Sequence, residues 1–254
     1  MVTLTKEQTD SYREKGYMRL RSVFSEDEMA ACKAECNRLL KLGIAHKNNL
    51  RTFPHYISET AWIVDRLDPV LDISPVFSDF VMDERILRPL REACGDDVIL
   101  FKDRLIYKMP GSNGYPIHQD YSWWQRFPKD LLNVAVAIDT ADAGNGAIEL
   151  FPGYQHQLLS TPEEMRHMSE EESRQIDFSK GELMEAASGD MVIFHCLVPH
   201  RSGPNLSNRL RRQLYLTYSA TKHGSLYDAQ LELFKQGLSS RRIKSDEKDQ
   251  MFFR

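Results

Sequence analysis

His118 and Asp120 lie two residues apart in YKMPGSNGYPIHQDYSWW, the stretch from Tyr107 to Trp124, directly after a loop rich in Gly and Pro. An imidazole nitrogen and a carboxylate oxygen are both metal donors. In extended backbone, residues i and i+2 project to the same side, so the two can converge on one point while Gln119 turns away. The tripeptide alone is not specific, because His-x-Asp also occurs on solvated loops. Further donors must come from elsewhere in the chain.

The second source is GDMVIFHCLVPHRSGPN, from Gly189 to Asn205, where a buried strand runs into a turn. It offers two imidazoles, His195 and His200. His200 is preferred because Gly203 and Pro204 follow it with a sharp turn that returns the chain as an antiparallel neighbour. Two histidines and one carboxylate on one face of a metal leave three positions open, the arrangement that suits non-haem Fe(II) activating O2. The returning strand carries Arg209, Arg211 and Arg212. A guanidinium fork matches a carboxylate bidentately, so one inward-facing arginine is what a dicarboxylate cosubstrate would require. Arg211 and Arg212 must face opposite sides of a strand, so at most one of that pair serves. The alternative is three arginines on a solvated edge.

Only a fold that brings distant strands together can join His200 to His118 and Asp120, and a jelly-roll barrel does so. The expected fold is mainly β: a double-stranded β-helix of the cupin-like kind, with N-terminal helices packed outside. A chain of 254 residues is commonly one such domain. Residues 1–95 form its helical part, 96–220 the jelly-roll core with 158–187 inserted, and 221–254 a C-terminal extension.

Thr5 caps a helix that ends at Gly16, and YMRLRSVF then reads as a strand. Ser25 and Glu28 make a capping box for a second helix, whose core stripe is Met29, Cys32, Cys36, Leu39 and Leu40. The segment Lys41 to Pro69 is irregular, with a short helix expected around Ala61 to Leu67. Two further short helices span Ser74 to Cys94, the second disturbed by Pro89. After Gly95 strands take over: Val98 to Met109, then Asn133 to Asp139 paired with Ala147 to Phe151 as a hairpin turning at Asn145-Gly146. Met191 to Leu197 and Gln213 to Ala220 follow. The charged stretch Leu158 to Ala187 reads as a helical insertion, either a lid or a solvated excursion. The final SSRRIKSDEKDQMFFR caps the barrel or meets a partner chain.

The net charge of −4, with no long block of like charge, gives no nucleic-acid footprint. Apolar runs such as Val134 to Ile138 are too short to span a bilayer, and MVTLTKEQTD lacks the apolar core of a signal peptide. Cys32, Cys36, Cys94 and Cys196 show no CxxC pairing and read as ordinary thiols in a reducing cytoplasm.

Together these segments resemble the phytanoyl-CoA dioxygenase family of Fe(II)- and 2-oxoglutarate-dependent oxygenases. The resemblance runs through LTKEQTDSYREKGYMRLRSVFSEDE, LFKDRLIYKMPG, PIHQD, NVAVAIDTADAGNGAIELFPGYQHQ and GDMVIFHCLVPHRSGPN, in that order. It implies that His118, Asp120 and His200 ligate Fe(II), and that Arg211 and Ser202 hold the far carboxylate of 2-oxoglutarate. Lys102 stands where relatives carry a polar residue near the cosubstrate, and Arg104, on the same strand face, would reach a substrate. The family's PGSH reads Pro152-Gly153-Tyr154-Gln155-His156 here, so His156 is displaced by one position from its place as a substrate neighbour. Tyr121, Trp123 and Trp124 either wall the substrate pocket or belong to the core. Because position 120 is a carboxylate, the implied reaction is hydroxylation or a related oxidation such as desaturation of a small molecule, releasing succinate and CO2, rather than halogenation. The basic pair Lys102 and Arg104 suggests a polar or anionic substrate. A monomer or homodimer is expected. The alternative is a non-catalytic barrel that binds a ligand or metal, in which one of the ligands or the arginine would be expected to be lost.

Overall fold

The structure, a computed structural model, describes residues 4–46 and 49–242. Helix α1 (Lys6–Lys15) starts on a Thr5–Gln8 capping box and stops at Gly16 in the left-handed region. Strand β1 (Tyr17–Leu20) leads to α2 (Glu26–Ala45), which opens on the expected Ser25–Glu28 box. Next come β2 (Thr52–Tyr56) and β3 (Trp62–Leu67), then α3 (Pro75–Ser78) and α4 (Glu84–Cys94), with Pro89 inside the last. The β-rich half holds β4 (Val98–Lys108), β5 (Tyr115–His118), β6 (Leu132–Ala137) and β7 (Ile148–Leu150). Then follow α5 (Glu170–Ser173), β8 (Glu182–Met184), β9 (Met191–His195), β10 (His200–Ser202), β11 (Arg211–Ala220) and α6 (Tyr227–Arg242). Among the described residues no helix is long and apolar enough to cross a membrane.

These strands form a seven-stranded sheet ordered β1-β9-β6-β11-β4-β3-β2 and a four-stranded sheet ordered β5-β10-β7-β8. Every neighbouring pair is antiparallel, as the jelly-roll expectation requires. Alternation along β4 and β11 assigns each face of the large sheet its partner. Leu105 and Tyr107 of β4, with Leu214, Leu216 and Tyr218 of β11, join Met29, Cys36, Leu39, Phe77 and Leu90 of the helices in one apolar core. The opposite face carries Arg104, Ile106 and Lys108 against Arg211, Gln213 and Tyr215. Ile106 and Tyr215 pack there with Ile148 and Leu150 of the small sheet. All ten residues of β11 are therefore buried, polar and apolar alike.

Three local expectations are corrected. Ala61 to Leu67 is not a helix: Trp62–Leu67 is strand β3, paired with β2 and β4, because the β-prone Trp62, Ile63 and Val64 find a sheet edge to join. The segments around Asn133 to Asp139 and Ala147 to Phe151 are not a hairpin, since β6 lies between β9 and β11 while β7 lies between β8 and β10. Asn145 instead closes a 3-10 turn capped by Asp142, and Gly146 lets the chain cross between sheets. A Cβ at Gly146 would stand 2.4 Å from the Gly203 carbonyl and 2.7 Å from Lys108 Cε, at a φ of +77°.

The 158–187 excursion is neither mainly helical nor simply solvated. Its helix is the single turn α5, it returns strand β8 to the small sheet, and Leu159, Met168 and Ile176 are buried against Phe151. Glu172, 7% exposed, gathers this irregular backbone by accepting from the Thr161 and Ser169 amides and from Arg166. Of the C-terminal stretch, residues 243–254 lie outside the described residues.

Asp103 ties the helical half to the barrel. Its buried carboxylate accepts from the Val70 and Leu71 amides at 2.6 and 2.9 Å and from the Tyr227 hydroxyl of α6 at 2.6 Å. Asp103→Ala leaves those donors unsatisfied and is expected to lower unfolding stability by about 3 kcal/mol, read from urea denaturation.

Candidate metal centre

His118 ends β5 and His200 begins β10, and the two are direct cross-strand partners. Their ring centroids are 4.1 Å apart. Gln119 remains extended, so Asp120, which opens a 3-10 turn, projects to the same side as His118. His118 Nε2 lies 3.9 Å from Asp120 Oδ1, and His200 Nε2 lies 3.8 Å from Asp120 Oδ2. The three donor atoms all fall within 4.8 Å of one another. Gln119 faces the other way and spans two segments, donating to the Gln157 and Leu197 carbonyls and accepting from the Leu159 amide.

Each imidazole is held in a ligand-ready state. His118 Nδ1 lies 2.7 Å from the Pro116 carbonyl and His200 Nδ1 lies 3.0 Å from the Val198 carbonyl. A carbonyl only accepts, so both Nδ1 atoms carry the proton and both Nε2 lone pairs point at the common centre. Burial, then the neighbouring His200, pushes His118 well below the usual imidazole range; burial also lowers His200. Burial by itself would raise Asp120, but Arg104, His200 and His118 outweigh it and hold the carboxyl at about 2. Asn133 Nδ2 donates to Asp120 Oδ2 at 2.9 Å, and Arg104 lies 3.3 to 3.4 Å from both its oxygens. Two neutral imidazoles and one carboxylate, converging by these atoms, fit Fe(II) as a donor set.

Beside this triad opens a cleft of about 60 Å³ that Arg66, Arg104, Tyr115, Arg211 and Tyr215 help to line. Arg211 is 1% exposed, and its Nε and Nη1 have no hydrogen-bond partner. Buried guanidinium donors without an acceptor are costly, and a bound carboxylate would satisfy them. Lys108, directly opposite Arg211 across β4 and β11, donates to Ser202 Oγ at 2.7 Å. Burial and the Arg211 charge push the Lys108 ammonium down to about 7. Alternation separates the arginines as expected: Arg212 turns to Asp139 and α2, and the exposed Arg209 pairs with Asp142.

The structure does not bring every sequence-predicted residue here. The Lys102 ammonium is 2.5 Å from Asp68 and 4.1 Å from the Phe234 ring centroid, outside the cleft lining. Trp124 is buried with Phe101, Tyr121 and Leu197, while Trp123 stands edge-on to His118 at 5.5 Å. His156 is exposed and its charge reaches His195, not the triad. Burial, then His156, pushes His195 down to about 4, and its Nδ1 accepts from the Leu197 amide. Arg66, Lys108, Tyr115, Asn133 and His167 escape sequence reasoning. Lys108 alone carried a signal, because it shares the Arg104 face of its strand.

The family model Phytanoyl-CoA dioxygenase (PhyH) matches residues 12–213. A probable alpha-ketoglutarate-dependent hypophosphite dioxygenase of Stutzerimonas stutzeri is 27% identical over 84% of this chain and 78% of its own. The 2-aminoethylphosphonate dioxygenase of uncultured bacterium HF130_AEPn_1 is 24% identical over 92% and 88%. The methylphosphonate hydroxylase of Gimesia maris is 26% identical over 89% and 84%. EctD from S. alaskensis, solved with 2-oxoglutarate and 5-hydroxyectoine, shares the fold at a TM-score of 0.72 and 21% identity, over 87% of this chain and 77% of that one. The pairing of His118 with His200 beside Asp120 and the match across most of the chain lead to one assignment: the chain belongs to the phytanoyl-CoA dioxygenase family.

Proposed function

We propose that this protein is an Fe(II)- and 2-oxoglutarate-dependent dioxygenase that hydroxylates a small anionic molecule. The observation that carries this reading is the buried His118–Asp120–His200 triad set beside the unpartnered guanidinium of Arg211. His118, Asp120 and His200 hold the metal through Nε2 atoms and carboxylate oxygens. When bound there, Fe(II) would supply the oxidising chemistry that no side chain does, coupling O2 to the conversion of 2-oxoglutarate into succinate and CO2. Arg211 takes the far carboxylate of 2-oxoglutarate, with Lys108 and Ser202 beside it. Asn133 and Arg104 fix the Asp120 carboxylate, so its ligating oxygens need not reorganise. Trp123 and His167, edge-on to one another at 5.3 Å, wall the side of His118.

Three relatives are named for hypophosphite, 2-aminoethylphosphonate and methylphosphonate. Those names, with the guanidiniums of the cleft, support a compact phosphorus oxyanion as substrate. The free cysteines support a reducing, cytoplasmic setting. A non-catalytic barrel is not favoured, because all three donors and Arg211 are present and in place.

Under air with Fe(II), the purified protein is expected to convert 2-oxoglutarate to succinate, and His118→Ala to abolish it, as read by succinate release. Undiminished turnover in that variant would overturn the assignment. Arg211→Ala is expected to raise the Kd for 2-oxoglutarate roughly 10- to 100-fold in anaerobic calorimetry.

Lys108 adds a pH signature. Its folded-state value of about 7 lies below the ordinary lysine value of about 10.4. Between these pH values the unfolded chain binds more protons, so stability rises with pH through this group. In the ligand-free protein, Lys108→Met should flatten that rise in denaturation curves collected from pH 7 to 10. In the parent protein 2-oxoglutarate binding above pH 7 should take up protons, seen as a buffer-dependent binding enthalpy.

A further inference from the structure

We propose that Thr217 and Asn133 form a relay that reserves one oxygen of Asp120 for the metal and holds the other off it, so that the open positions stay open. The inference rests on the dioxygenase reading and deepens it. A carboxylate can ligate through one oxygen or through both. The two oxygens of Asp120 are nearly equivalent toward the imidazoles: Oδ1 lies 3.9 Å from His118 Nε2, and Oδ2 lies 3.8 Å from His200 Nε2. A metal at the common centre would find both within reach, and the donor triad alone does not choose between them.

Hydrogen bonding breaks the tie. Oδ2 accepts from Asn133 Nδ2 at 2.9 Å, whereas among the described residues Oδ1 has only the Arg104 contact at 3.4 Å. Arg104 touches both oxygens alike, at 3.4 and 3.3 Å, so the asymmetry comes from Asn133. An oxygen that already accepts a good hydrogen bond is the poorer metal donor, and it cannot swing inward without breaking that bond. Oδ1 is left as the ligating atom.

Asn133 is itself held in place. It is the one polar residue of β6, a strand buried throughout, and it lies directly across from Thr217 of β11. The Thr217 hydroxyl, also buried, donates to Asn133 Oδ1 at 2.7 Å. A carboxylate only accepts, so the amide must turn its nitrogen to Asp120, and its oxygen then meets the hydroxyl. The branched Thr217 side chain has little freedom to turn that hydroxyl elsewhere. Thr217 therefore acts through Asn133, as a positioning residue.

The consequence lies in the number of positions. An octahedral metal held by three protein donors keeps three open, of which a chelating 2-oxo acid takes two and O2 the last. A second Asp120 oxygen would fill that last position. Cosubstrate would still bind, but O2 would have no place.

The test is water-proton relaxation on the full chain loaded with Mn(II), which reports the waters exchanging on the bound ion. Asn133→Leu is expected to lower the relaxation enhancement by about one third, one of three open positions being lost. Thr217→Val should lower it by a smaller amount, and Thr217→Ser, which keeps the hydroxyl, should hold the parental value. With Fe(II) under air, Asn133→Leu should cut kcat for succinate release roughly tenfold or more while KM for 2-oxoglutarate changes less than about threefold, a split that general loosening would not give. Thermal melts establish that each variant is folded, and if Asn133→Leu does not fold, Asn133→Ala takes its place with the same expectation. Parental relaxation in the Asn133 variant or in Thr217→Val overturns the relay, as does a fall in Thr217→Ser equal to that in Thr217→Val. Failure of Mn(II) to bind the parent, or binding that His118→Ala leaves unchanged, counts against the dioxygenase reading instead.

Discussion

Two imidazoles with ring centroids 4.1 Å apart are buried beside a carboxylate, and much of the barrel interior serves to make that burial tolerable. If both rings were protonated they would repel strongly in a poorly solvated site, so the fold keeps them neutral. The carbonyls of Pro116 and Val198 take the Nδ1 protons, and the backbone thereby decides which nitrogen stays available. Asp120 keeps its charge because Arg104 and Asn133 stand against it. The site is thus arranged as a set of lone pairs around one point before any ligand arrives, which removes reorganisation from the cost of binding.

That arrangement depends on how β4 and β11 divide their residues. Outward positions are mostly aromatic and aliphatic and seal the large sheet under α2, α3 and α4, with Asp103 and Arg212 the charged members, each hydrogen-bonded there. Inward positions alternate charge with apolar bulk, Arg104, Ile106 and Lys108 against Arg211, Gln213 and Tyr215. A register shift of one residue would expose the apolar set to the cleft and press the guanidiniums into the helical core, so pairing register and site chemistry are one constraint. The hydrophobic packing on one face pins the electrostatics on the other.

Segments remote in sequence close the cleft. The β2–β3 ribbon contributes Arg66 and Tyr115's partner Asp65, α6 braces Phe53 through Phe234, and the 158–187 excursion brings His167 to within 5.4 Å of the His118 ring. Gln119 links this excursion to the strand that carries His118 through the Leu159 amide and Gln157 carbonyl. The catalytic barrel and its surroundings are therefore joined by specific buried hydrogen bonds as well as by apolar contact.

Features governed by near neighbours along the chain were legible in the sequence. The caps at Thr5 and Ser25, the stop at Gly16, and the shared face of His118 and Asp120 all follow from dihedral preferences and side-chain periodicity within a few residues. The opposed faces of Arg211 and Arg212 were equally readable, for the same reason. Pairings across the barrel were not. Asn145-Gly146 has the chemistry of a hairpin turn, but sheet pairing carried its flanking strands into different sheets. Alternation placed Lys102 and Lys108 on one face equally well, and only the register of β4 on β11 set Lys108 opposite Arg211 while Lys102 met Asp68. Trp123 and Trp124 likewise differ by a single position, one beside His118 and the other in the core. Sequence by itself determined the donor types and their local geometry, because these depend on backbone torsions over two to four residues. Tertiary structure alone decided which charged groups share the cleft, because that is set by the burial free energy of whole sheets and helices, which no local stretch of chain contains.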